Sequence, residues 1–123
     1  MTDKRANPLA TKEQTKMLFD LLNEARGVGR VVRGVNEVTK FVNRGKAKLV
    51  LAAADAIPLE IVLHLPDLCE DKGIALMFVE SRQALGRAIG LSRPAIAVAI
   101  NGSQRKATID DKIEQVLRRL ELE

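Results

Sequence analysis

Three side chains in RGVNEVTK (33–40), Asn36, Glu37 and Lys40, together offer the donors and acceptors needed to read a nucleic-acid base. An asparagine amide both donates and accepts, so it can pair with a base edge. An ionised glutamate only accepts, and the imino and amino groups of guanine only donate. Lys40 falls one turn after Asn36 on the same helical face, within reach of a phosphate backbone. Gly34, just ahead, lets the chain come close to a ligand. The helix start that follows has free N–H groups and a positive dipole, which suit phosphate. A plainer account fits the same letters: Asn36 caps the helix, and Glu37 matches its dipole. The local pattern alone favours the plainer account, since short motifs often match by accident.

The surrounding charge favours a polyanionic partner. From Arg26 to Lys48 the chain has seven basic residues (Arg26, Arg30, Arg33, Lys40, Arg44, Lys46, Lys48) against Glu37 alone. Residues 81–93 add Arg82, Arg87 and Arg93 with no acid. The net charge of +4 hides this asymmetry, because the rest of the chain is acidic on balance. Solvated surfaces usually mix signs; two separated basic segments do not.

Other chemistries find little support. His64 is the sole histidine and reads as a partly buried structural residue, and no Cys/His cluster has metal-ligand spacing. Cys69, the sole cysteine, lies five residues further along the same helical stretch, so nothing there activates it. It reads as a small core thiol, excludes an internal disulfide and suits a reducing compartment. Asp55 follows a strand and reads as a cap for the helix opening at Pro58. GVGRVVRG (27–34) precedes a strand and has the spacing of neither GxGxxG nor a P-loop. Three phenylalanines, with no tyrosine or tryptophan, argue against a sheet that stacks unpaired bases, and no GxxG clamp joins two helices. If RNA is the ligand, it is folded RNA recognised by shape. No cofactor is implied.

The elements that must hold these residues alternate along the chain. The 123 residues, 46% of them hydrophobic, suffice for one core, and one domain is expected over 1–123 with residues 1–8 flexible. Asn7-Pro8 marks an opening turn, and TKEQ (11–14) a capping box for a first helix ending near Gly27. VGRVV (28–32) reads as a short strand, and a second helix starts at Asn36 and stops at Gly45. KLVLAAA (48–54), IALMFV (74–79) and AIAVAI (95–100) read as buried strands. Pro58 opens a third helix that Pro66 interrupts. Ser81 caps a fourth helix ending at Gly90. After a polar loop, NGSQRK (101–106), TIDD (108–111) opens a fifth helix with Ile109, Ile113, Val116, Leu117 and Leu120 on one face. The fold class is α/β: a three-layer α-β-α sandwich, a four-stranded mixed sheet with about five helices. Apolar runs are strand length, far below a membrane span, and no secretory leader opens the chain.

RGVNEVTK with NRG (43–45), AADAIPLEIVLHLPDLCEDK (53–72) and SRQALGRAIGLSRP (81–94) resemble, in that order, the kink-turn RNA-binding family. That family includes an archaeal large-subunit ribosomal protein and its eukaryotic relatives. LPDLCEDK and LSRP look most like the eukaryotic branch found in U4 small nuclear and box C/D small nucleolar ribonucleoproteins. The resemblance implies a non-enzymatic scaffold in nucleus and nucleolus. It would bind kink-turns of U4 snRNA and box C/D snoRNA and present a composite surface to later assembly proteins, with no membrane partner. It implies that Asn36, Glu37 and Lys40 grip tandem sheared G·A pairs, that Gly34 permits close approach, and that Arg33 and Arg44 contact the backbone. A flipped-out pyrimidine would be held by Ile57, Ile61, Arg82 and the loop Leu91, Ser92, Arg93. Ile57 stands where close relatives carry glutamate, and Arg82 where they carry lysine, so this pair lacks its acidic member. A ribosomal or archaeal-type role is the alternative within the family. Outside it, the alternative is a small-molecule-binding or nucleotide-processing α/β enzyme.

Overall fold

The most apolar run of the chain forms the strand buried on both faces. In the computed structural model, which describes residues 5, 6, 8–102 and 108–122, β2 spans Ala47–Ala53 and only Lys48 is exposed on it. Parallel to β2 on one side lies β3 (Ala75–Val79), with Leu51 level with Met77; antiparallel on the other lies β4 (Ala97–Asn101), with Leu51 level with Val98. A short β1 (Val31–Arg33) pairs antiparallel with β4, giving the order β1-β4-β2-β3. This is the expected four-stranded mixed sheet.

Alternation along the strands divides the core in two. On one face Val50, Ala52, Ala97 and Ala99 meet Val38 and Val42 of α2 (Val35–Asn43) and Leu65 and Cys69 of α3 (His64–Lys72). On the other, Leu49, Leu51, Val98 and Ile100 meet α1 (Lys12–Gly27), α4 (Arg82–Ala88) and α5 (Thr108–Leu122). The five helices cover both faces, as an α-β-α sandwich requires. Ile109 and Ile113 of α5 are buried, and Val116, Leu117 and Leu120 pack beside them, as their spacing predicts. Thr11 and Gln14 form the expected capping box of α1, and Ser81 accepts from the Ala84 N–H to cap α4.

Several boundaries differ from the sequence reading. β1 begins at Val31, because the N–H groups of Val28 and Gly29 turn back to the Ala25 and Arg26 carbonyls and close α1. Instead of one helix from Pro58 broken at Pro66, a 3-10 turn (Leu59–Val62) precedes α3. Pro66 sits in the first turn of α3, where its missing N–H is not needed. The break therefore falls ahead of Pro66, at Leu63. Residues 1–4, Asn7 and 103–106 of the polar loop lie outside the described residues. Arg5 pairs with Glu60 at 2.9 Å, Ala6 is buried, and Leu9 bridges to Phe78 beside β3.

Candidate nucleic-acid interface

The sheet brings distant segments to one end. With β1, β2 and β3 mutually parallel and β4 reversed, the ends of the first three strands and the start of the fourth lie together. Arg33 ends β1, and Gly34, Asn36 and Glu37 follow it; Ile57 and Ile61 follow β2; Arg82 follows β3; Leu91, Ser92 and Arg93 precede β4. Eleven of the twelve residues named from sequence occupy this end or, for Lys40, the next turn of α2. Arg44 is the outlier. It is the C-cap of α2, nearly the full length of a nine-residue helix away, roughly 13 Å at 1.5 Å per residue.

Gly34 makes the corner between β1 and α2. Its φ of 94° and ψ of 139° belong to glycine's territory, and its N–H donates to the Ala97 carbonyl at 2.9 Å. A side chain here would meet nothing within 4 Å, so the corner faces open space. Gly34, not Asn36, is the N-cap, and no side chain caps α2. The expected asparagine cap is thus corrected: Asn36 lies inside the first turn, exposed, with its amide uncommitted to the backbone. The Gly34 carbonyl already accepts from the Val38 N–H, so the N–H groups of Val35, Asn36 and Glu37 are the helix's open donors.

Glu37 has one neighbour of opposite charge. Its Oε1 lies 3.7 Å from Nζ of Lys40, with both side chains more than half exposed. Such a pair contributes about 0.2–0.5 kcal/mol, too little to hold either group against a desolvated partner. Beneath them, the Thr39 hydroxyl donates to the Val35 carbonyl at 2.7 Å and lies 2.8 Å from Nε2 of His64. The hydroxyl's only proton is spent on Val35, so Nε2 carries the hydrogen and donates to Thr39. His64 is exposed, not partly buried, because it opens α3 at the seam with α2. Its role is a tie between the two helices.

The opposite wall is apolar with one fixed cation. Ile57 is 78% exposed and Ile61 37%, two of the three large exposed hydrophobic residues among those described. Asp55 does not cap the helical turn at Pro58. Its carboxylate accepts from the Arg82 N–H at 2.8 Å at the start of α4, and its carbonyl accepts from the Arg82 guanidinium at 2.7 Å. These bonds lock the loop after β2 to the loop after β3. Sequence reasoning missed the Asp55–Arg82 link, since nothing local pairs residues 27 apart. Behind Arg82, its carbonyl accepts from the Ala95 N–H at 3.0 Å. Gly86 lets the 91–95 loop press on α4, for a Cβ there would strike the Arg93 carbonyl.

Catalytic groups do not gather here. Cys69 is buried in the core, and desolvation pushes its thiol up to about 11, the reverse of an activated nucleophile. Among the described residues no three His, Cys, Asp or Glu side chains could hold a metal, and no helix is long and apolar enough to cross a membrane. A groove of about 1220 Å³ lies at the other end of the sheet, near Gly45, Lys48, Gly73, Ile74 and Leu117. The site is an open surface. Its positive field is one charge weaker than the sequence suggests, because Arg30 is buried and bonded at 2.6 Å to Asp110 of α5.

Residues 16–109 match the ribosomal protein L7Ae/L30e/S12e/Gadd45 family. The chain belongs to that family. Proteins with similar sequences include NHP2-like protein 1 of Xenopus tropicalis, 50% identical over 119 residues, covering 94% of this chain and 92% of that protein. The small nuclear ribonucleoprotein associated homolog 13 of Caenorhabditis elegans is 46% identical with the same coverage. Among solved structures, the Giardia lamblia 15.5kD RNA binding protein superposes with a TM-score of 0.91 at 42% identity, covering 98% of each chain. The family assignment expected from the sequence therefore holds, and so does the α/β architecture.

Proposed function

We propose that this protein is a non-enzymatic RNA-binding scaffold that recognises kink-turns, above all those of the U4 snRNA 5′ stem-loop and box C/D snoRNAs. The observation that carries the proposal is the uncapped start of α2, which presents Asn36, Glu37 and three free N–H groups from an exposed corner at Gly34. The names of two similar proteins, an RNA binding protein and a small nuclear ribonucleoprotein associated homolog, support it.

In this reading Glu37 accepts from the imino and amino hydrogens of guanine in a sheared G·A pair, and Asn36 pairs with the neighbouring base edge. Lys40 leaves its weak tie to Glu37 for a phosphate, and Arg33 and Arg44 hold the backbone on either side. Ile57 and Ile61 give an unpaired base an apolar surface, while Arg82 and the Leu91–Arg93 loop close over it. In place of an acidic member, the Asp55 carbonyl orients the Arg82 guanidinium. Contacts available only in the sharply bent RNA shift its equilibrium toward that form. The bent complex then offers later snRNP and snoRNP assembly proteins a surface made of both components, in the nucleus and nucleolus.

An electrophoretic shift separates this reading from a small-molecule-binding enzyme. A kink-turn RNA should shift at physiological salt, while an unbent duplex of equal length should bind only weakly and lose that binding as salt rises. Equal affinity for the two overturns the proposal.

A further inference from the structure

The positive field does not stop at the residues assigned above. Arg87 and Arg93 are exposed, and among the described residues neither has an ion-pair partner. The backbone carbonyl of Arg93 lies against Gly86, the residue before Arg87. One turn further on, Gly90 has a φ of 79° and packs against the guanidinium of Arg26 from α1, which also donates to Asn23 at 3.2 Å. Three arginines from three segments, Arg26 of α1, Arg87 of α4 and Arg93 of the loop that follows, thus meet at the last turn of α4. A helix C-terminus carries only about half a negative charge, so one arginine would suffice there. The acids of α1 give no relief: Asp20 and Glu24 line a shallow groove on the α5 side, where Glu24 pairs with Lys112. Helix α1 thus sends Asp20 and Glu24 toward α5 and Arg26 toward α4.

We infer that Arg26 and Arg87 form, with Arg93, a phosphate-binding rim on the α1/α4 side that grips the backbone of a helical stem flanking the kink-turn. Charge selects the partner, since three cations without an acid suit a regular polyanion, and continuity through Arg93 joins the rim to the site proposed for the kink. The rim reads no sequence, because its contacts are to phosphates. The inference rests on the RNA-binding reading and adds a second footprint to it.

The test compares natural protein, Arg26→Ala/Arg87→Ala and Arg26→Lys/Arg87→Lys on two kink-turn RNAs, one with long flanking stems and one trimmed to the kink. On the long RNA the alanine pair should weaken binding several-fold and lower the slope of log affinity against log salt by about two, roughly one per lost phosphate contact. The lysine pair should keep most of the slope, which separates charge from a loss of packing. On the trimmed RNA all three proteins should bind alike. An unchanged slope on the long RNA overturns the rim and leaves the patch to an acidic protein segment. Equal weakening on both RNAs also overturns it. Failure of the natural protein to prefer either kink-turn over duplex would instead overturn the underlying function.

Discussion

At the scale of single residues, Glu37 is the position where a structural role and a reading role predict different results. Its tie to Lys40 is exposed and its dipole match is modest, so Glu37→Gln should change stability by under about 1 kcal/mol. If the carboxylate accepts from guanine, the amide turns an N–H toward a donor, and binding should fall by roughly 1–3 kcal/mol. Calorimetric titration of a kink-turn RNA against the folded variant distinguishes the two, and unchanged affinity removes Glu37 from the interface. Sequence made the chemistry of Asn36 and Glu37 legible but placed the helix start two residues late. The reason is physical: Gly34, with no side chain to cap with, fills the cap through a positive φ that letters alone do not reveal.

At the scale of elements, hydrophobic spacing located every strand and every long helix, because periods of two and 3.6 leave a direct imprint on the letters. What escaped was held by contacts distant in sequence. Asp55 binds Arg82, His64 binds Thr39, and Arg30 reaches 80 positions along the chain to Asp110. The last pair docks α5 to the start of β1, with side chains only 11% and 14% exposed. Asp110→Ala would remove the carboxylate that lies 2.6 Å from the Arg30 guanidinium in a nearly dry setting. Breaking a buried pair from one side commonly costs about 3–5 kcal/mol, so the denaturant midpoint should drop sharply. Kink-turn affinity of the remaining folded protein should hardly move, because the pair is remote from the α2 corner. A loss under about 1 kcal/mol would mean that this pair adds little to the docking of α5.

At the scale of the whole molecule, three parallel strands and one reversed strand deliver four loops to one end, a convergence that no single stretch of sequence encodes. Two of those loops carry opposite characters: the one after β2 is apolar at Ile57, the one before β4 polar at Ser92 and Arg93. The polar loop should favour RNAs with a proper stem beside the kink, where Arg93 finds a phosphate. U4-type and box C/D kink-turns should therefore bind more tightly than kink-loops closed by a terminal loop. Ser92→Glu/Arg93→Val should narrow that gap in a comparison of dissociation constants. Equal binding of both RNA types by the natural protein would remove the assignment to the U4 and box C/D branch.

The central claim is that the α2 corner reads sheared G·A pairs and not merely negative charge. Its most direct test is to measure dissociation constants, across a range of salt, for a kink-turn RNA and for the same RNA with both G·A pairs replaced by Watson–Crick pairs. The replacement should abolish specific binding at physiological salt and leave only weak attachment that disappears as salt rises. Equal affinities and equal salt slopes for the two RNAs would contradict the account.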